Sequence, residues 1–300
     1  MTAFDQLDTE ARDAAGADLD LHSTAELVKR MNAGDAIVPA AVAGATRAIA
    51  ELIDAVADRL ARGGRLIYVG AGTSGRLAAL DAVECETTFS TPPGQVTALV
   101  AGGTGLSAAA QEAAEDDTAA GASELEALGV SSADAVVGVS ASGRSPYVRG
   151  ALEAARTREA LTGCIVCVER SELAELAELV VSVPVGAEFL AGSTRLKAGT
   201  AQKLILNMLS TISMIRLGKT YGNLMVDLDA TNDKLRARVR SIVGHATGEP
   251  PERIDEALAA AGGDAKVAIV SLVTGLDADA ATARLAAAGG VVRRAVEEAT

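Results

Sequence analysis

The short strand-like run Arg65–Val69 passes directly into Gly70-Ala71-Gly72-Thr73-Ser74-Gly75, after which Arg76–Glu84 returns to helical spacing. A strand, a glycine turn and a helix in immediate succession form the opening half of a βαβ unit, whose helix must pack back onto a sheet. The alternation then repeats, with strands predicted at Val96–Val100, Ala135–Val139, Cys164–Val168 and Leu179–Val183 and helices at Leu106–Leu128 and Tyr147–Ala160. This pattern predicts an α/β protein with a parallel sheet and right-handed crossovers.

Helices flank the alternating region. In Pro39–Ala61 apolar positions recur at Val42, Ala45, Ile49, Leu52, Ile53, Val56 and Leu60, and Gly63-Gly64 ends the helix. A longer periodic helix runs from Thr194 to Leu217, carrying Leu204, Ile205, Met208, Leu209, Ile212 and Ile215, and stops at Gly218. Lys219–Asn232 reads as an irregular connecting loop. Beyond it Lys234–Thr300 has only helical pattern, punctuated at Gly248-Glu249-Pro250-Pro251, Gly262-Gly263-Asp264 and Gly289-Gly290. The expected organisation is an N-terminal helical segment (1–45), an α/β domain (46–225) and a helical C-terminal domain (226–300). Aromatics are only 2% of the 300 residues, with no Trp, while apolar residues reach 49%, so Ala, Leu, Val and Ile must fill the core.

The charge balance excludes one class of partner. With 27 Lys plus Arg against 40 Asp plus Glu, the formal charge is −13, and no basic field exists to displace nucleic-acid counterions. Met1–Asp20 carries six carboxylates where a secretory signal needs a basic start and an apolar stretch, and no run of about 20 apolar residues is present to span a bilayer. Three Cys do not make a disulfide framework, and His22 and His245 have no neighbouring ligand cluster. The expectation is a cytoplasmic protein with no membrane contact, no metal and no cofactor.

Gly70–Gly75 matches the dinucleotide fingerprint, but the next strand ends Leu99-Val100-Ala101-Gly102-Gly103, without the carboxylate that would hold a ribose. What remains is a phosphate cradle in which Thr73 and Ser74 add donors to free helix N–H groups. A second loop, Ser140-Ala141-Ser142-Gly143-Arg144-Ser145-Pro146, follows the third strand with three hydroxyls in six residues. One such loop is explained by an ordinary turn and helix cap. Two at successive strand ends point to a ligand, because open α/β sheets bind beyond their carboxyl edge. Gly218-Lys219-Thr220 leaves a helix instead of entering one and is no Walker A loop. Cys164 and Cys167 have redox spacing, but inside a strand they face opposite sides, so both read as core, as does Cys85. The residues alone give a sugar-phosphate or similar phosphoester site without naming the reaction.

A family resemblance extends this reading. Gly70–Leu77 with Asp81-Ala82-Val83-Glu84-Cys85, Ala113-Ala114-Glu115-Asp116, Ala141–Val148, Gly192–Lys203, Asn207–Thr211 and Gly222–Asp227 together resemble N-acetylmuramic acid 6-phosphate etherases, which are built on the sugar isomerase (SIS) fold. The matches begin at Thr9-Glu10 and continue into the tail. The resemblance implies a three-layer SIS domain, a ubiquitin-associated-like helical end, and cleavage of a lactyl ether to N-acetylglucosamine 6-phosphate and D-lactate. It also implies a homodimer with sites near the subunit interface. Glu84 takes the place of the proton-donating acid and Glu115 that of the second acid/base. Ser140, Ser142 and Ser145 take the phosphate, Thr73 and Ser74 lie near the sugar, and Gly72, Gly143, Ser193 and Lys197 complete the expected amino-sugar phosphate site. Two features depart from the family: Glu86-Thr87 stand where it has a Pro-Pro pair, and Thr194 and Leu196 replace Ser and Met. A sugar-phosphate sensor of the glucokinase-regulatory type and an aldose–ketose isomerase share the fold and stand as alternatives.

Overall fold

The computed structural model describes residues 8–13, 16–103, 105, 108–228 and 232–297. Its chain forms two compact units, Met1–Val83 with Gly94–Thr211, and Glu84–Pro93 with Ile212–Thr300.

The first unit opens with α1 (Thr24–Asp35), whose N-cap Ser23 accepts a hydrogen bond from the Glu26 amide. The helix predicted over Pro39–Ala61 is in fact two, α2 (Val38–Gly44) and α3 (Thr46–Ala61). They divide at Ala45, where the backbone leaves helical values and the Thr46 hydroxyl donates to the Ala43 carbonyl at 2.6 Å. There follow β1 (Leu66–Gly70), α4 (Gly72–Phe89), β2 (Val96–Val100), α5 (Ala108–Glu115), α6 (Thr118–Ala127), β3 (Ala135–Ser140), α7 (Pro146–Thr157), β4 (Leu161–Val166), α8 (Glu172–Leu176), β5 (Leu179–Ser182) and α9 (Lys197–Arg216). The helix predicted over Leu106–Leu128 also divides, because the Asp117 side chain accepts from the Ala120 amide and starts α6 afresh; its predicted first residue, Leu106, lies outside the described residues.

The five strands are all parallel, in the order β2-β1-β3-β4-β5. β1, β3 and β4 are buried along their whole length, as parallel strands covered on both faces must be. Alternate residues serve the two faces. Ile67, Val69, Val136, Cys164 and Val166 join one core with Leu125 of α6 and Val148, Ala151 and Leu152 of α7. On the other face Gly163 leaves room for Leu52 of α3, and the Tyr68 hydroxyl donates to Asp81 of α4 at 2.9 Å. Strand β4 begins three residues earlier than predicted, so Cys167 falls just beyond it. Both thiols are buried, and burial pushes each up to about 12, so they are core groups and not a redox pair.

At the sheet edge away from the loops, the Asp134 carboxylate takes both arms of the Arg65 guanidinium, at 3.0 and 2.8 Å, together with the amides of Arg65 and Ser131. Burial opposes its charge, but these bonds outweigh that cost and hold the carboxyl below its ordinary value.

The second unit contains a hairpin, β6 (Thr220–Tyr221) and β7 (Leu224–Met225), within the predicted irregular loop; at two residues per strand it is too short to show a period. It continues with α10 (Asp233–Thr247), α11 (Pro251–Ala260), α12 (Ala265–Thr274), α13 (Ala278–Ala287) and α14 (Val292–Glu297). Asn232, Asp264 and Asp277 cap α10, α12 and α13 through their side chains, and Ile254, Val267, Ala268, Ile269 and Leu285 share one core. Among the described residues no single helix is long and apolar enough to cross a membrane.

Candidate active site

Strands β1 and β3 are neighbours, yet the chain departs from them to opposite faces, so the sheet's switch point lies between them. The two hydroxyl-bearing loops leave these two strands at that point. Between them lies a cleft of about 180 Å³ lined by Gly72, Thr73 and Ser74 from the first loop and Ser140, Ser142 and Ser145 from the second. Glu115, at the end of α5, lines the same cleft, as do Thr9, Glu10, Gly192 and Thr194.

The first loop is tight enough to require both end glycines. A Cβ on Gly70 would come within 2.7 Å of the Gly75 nitrogen, and one on Gly75 within 2.6 Å of the Gly70 oxygen. Behind it, the buried Ser74 hydroxyl donates to Gln202 Oε1 of α9 at 2.9 Å, which fixes the first turn of α4. In the second loop the Gly143 amide donates to Ser140 Oγ at 3.0 Å, and Gly143 adopts φ +66°, so its amide turns inward. That bond uses an acceptor site on Ser140 and leaves its O–H free to donate.

Ser145 decides between the turn reading and the ligand reading. It occupies the N-cap of α7 but makes no capping bond, and its Oγ is buried with no partner. A serine present only to cap would have used that oxygen on the helix amides. Instead the hydroxyl lines the cleft beside the amino ends of α4 and α7, where anions are stabilised by free N–H groups and the helix dipole.

Glu115 is half-buried. Burial, followed by the charges of Asp116 and Glu112, pushes its carboxyl above the ordinary value. A carboxyl so shifted exchanges protons closer to neutral pH than an exposed one. Glu84 is exposed toward the end of α4, in the segment belonging to the second unit. Ser193 is half-buried in the chain that leads into α9, next to the lining residues Gly192 and Thr194. Lys197 is placed elsewhere: its Nζ donates to the Val185 carbonyl at 2.7 Å, and it lines a separate cavity with Arg30 and Phe189. Its backbone does matter to α9, because the buried Glu188 carboxylate accepts from the Lys197 and Ala198 amides, both at 2.9 Å. Among the described residues no cluster of three His, Cys, Asp or Glu side chains could hold a metal ion.

Thr9, Glu10, Gly192 and Thr194 belong to the resembling motifs but have no phosphate-loop pattern of their own; only the fold brings them to the two hydroxyl loops, which are distant in sequence. The buried Glu188 likewise stands in a segment without helical period, so its capping role emerges only from the contacts it makes.

Residues 48–156 match a sequence model of the glucokinase regulatory protein N-terminal SIS domain, a span that contains both hydroxyl loops and Glu115. The chain is 56% identical over 98% of its length to N-acetylmuramic acid 6-phosphate etherase of Rubrobacter xylanophilus, covering 97% of that protein. It is 54% identical to the etherase of Streptomyces coelicolor and 53% identical to that of Streptomyces avermitilis, in each case over 99% of this chain and 95% of the relative. With identity at this level from end to end, the chain belongs to the N-acetylmuramic acid 6-phosphate etherase family.

Proposed function

We propose that this protein cleaves the lactyl ether of N-acetylmuramic acid 6-phosphate by elimination and hydration, giving N-acetylglucosamine 6-phosphate and D-lactate. The observation that carries the reading is that one cleft combines the hydroxyls of two phosphate-type loops with a carboxyl, Glu115, raised toward neutrality. The phosphate is held by the O–H groups of Ser140, Ser142 and Ser145 and by the helix N-termini, which bind an anion locally despite the chain's net charge of −13. Thr73 and Ser74 lie on the sugar side.

The ether oxygen at C3 is a poor leaving group. When the sugar opens to its aldehyde, the C2 proton lies beside a carbonyl and can be removed. Glu115 takes that proton, and Glu84 serves as the proton donor to the departing lactyl oxygen. Water then adds at C3. Turnover in deuterated, oxygen-18-labelled water therefore places deuterium at C2 and labelled oxygen at C3. Product that keeps its C2 hydrogen and lacks solvent oxygen rules the route out.

The cleft of about 180 Å³ is smaller than the roughly 300 Å³ at which enclosed ligand sites begin, so one chain surrounds only part of the substrate. A homodimer supplies the remaining wall in this reading. Leu80, Val83 and Met208 support it, being apolar and 53%, 67% and 37% exposed on α4 and α9, which the Ser210–Asp81 hydrogen bond holds side by side. The division into segments 1–45, 46–225 and 226–300, and a ubiquitin-associated-like form for α11–α13, belong to the same reading and are supported by the shared core of those helices. Three buried cysteines, none of them in a disulfide, agree with a reducing cytoplasmic setting.

The test is incubation with N-acetylmuramic acid 6-phosphate and measurement of D-lactate. Glu84→Gln and Glu115→Gln each lower lactate release by about 100-fold or more while leaving inorganic phosphate binding unchanged. Binding without lactate release would favour a sensor, and sugar-phosphate conversion without lactate an isomerase.

A further inference from the structure

Two buried hydroxyls without a partner face the same small cleft. One is Ser145, already assigned to the phosphate. The other is Thr9, 5% exposed, from the 3-10 turn Asp8–Glu10 ahead of the α/β unit. An orphaned hydroxyl inside a protein is a cost, and valine has nearly the same shape without it. A position serving the fold alone would gain by losing the oxygen. The next residue, Glu10, brings a carboxylate to the cleft wall: a Cβ built on Gly192 would lie 2.8 Å from Glu10 Oε2, so the bare glycine is what admits that oxygen.

We propose that Thr9 and Glu10 are substrate-contacting residues that hold the sugar half of the amino-sugar phosphate, Thr9 as a donor and Glu10 as an acceptor for its hydroxyls. The inference rests on the etherase reading above and extends its binding site to the N-terminal segment. Charge fixes the orientation. Glu10 is acceptor-only when ionised and repels both the phosphate and the lactyl carboxylate. The phosphate therefore lies toward Ser140–Ser145 and the helix N-termini, and neutral sugar hydroxyls lie toward Glu10 and Gly192. The lactyl group leaves by the open side of the cleft.

Binding of N-acetylglucosamine 6-phosphate and of inorganic phosphate, each titrated into the full chain, separates this role from a structural one. Thr9→Val and Glu10→Ala weaken the sugar phosphate about tenfold, the loss of one hydrogen bond, and leave inorganic phosphate unchanged. Thr9→Val also keeps or raises the melting temperature, and Thr9→Ser restores sugar-phosphate affinity. Unaltered sugar-phosphate binding in both variants overturns the proposal. So does a fall in melting temperature accompanied by equal weakening of both ligands, which marks a structural role. If the parent protein releases no lactate from N-acetylmuramic acid 6-phosphate, the etherase reading falls instead, and the two failures are told apart.

Discussion

Glu115 owes its raised pKa first to burial and then to Asp116 and Glu112. In its proposed role as base it must be ionised to act, so kcat/KM is expected to rise with pH through its titration. Asp116→Asn removes one repelling charge and moves that acid limb to lower pH, readable in a pH–rate profile. Asp134 is shifted the other way. Its folded-state value lies below the unfolded one, so its contribution to stability is complete above the ordinary carboxylate range and is lost as pH falls through the depressed value. Asp134→Asn is expected to cost about 2–3 kcal/mol in urea unfolding at pH 7, below the range for a fully buried pair because the Arg65 side chain is 30% exposed. The difference from the parent narrows as the pH is lowered.

At the scale of elements, Asp81 binds three of them together. It accepts from Tyr68 of β1 and from Ser210 of α9 at 3.0 Å, and the Asn207 amide, oriented to satisfy both its atoms, donates to it at 3.3 Å and accepts from Lys203 at 2.7 Å. Asp81→Ala removes the acceptor shared by two buried hydroxyls and is expected to cost about 3 kcal/mol, with Asp81→Asn costing less; chemical denaturation measures both. Sequence pattern locates elements well where the signal is local. Leu66–Gly70 and its glycine loop are legible because the apolar residues Leu66 to Val69 meet a turn that admits no side chain at Gly70 or Gly75. The break at Ala45 is not legible, because alanine there continues the apolar period of Val42 and Ile49. Asp117 is obscured in the same way, since its capping bond is indistinguishable in sequence from the charges of Glu115 and Asp116 beside it. Lys197 shows the limit for the site: its motif is plain, but only the fold reveals that the Val185 carbonyl holds its ammonium.

Across the whole molecule, the small cleft and the exposed apolar residues of α4 and α9 both support the proposed homodimer. Val83→Glu places a charge on that row and is expected to convert the proposed dimer to monomer in sedimentation or light scattering. It should lower lactate release with it, whereas each subunit keeps its far-ultraviolet circular dichroism. Retained dimer and full activity would remove the row from the interface.

The loops that form the cleft leave β1 and β3 where Gly70 stands opposite Val139, directly paired in the sheet. Their roots are therefore one strand spacing apart, about 4.8 Å, a length set by main-chain hydrogen bonds and indifferent to side chains. The sheet acts as a fixed gauge for the site. Exchanging Thr73, Ser142 or Glu115 changes the groups that line the gap, but not its width. A scaffold of this kind can be refitted to another sugar phosphate by rewriting its loops, with the sheet needing no adjustment.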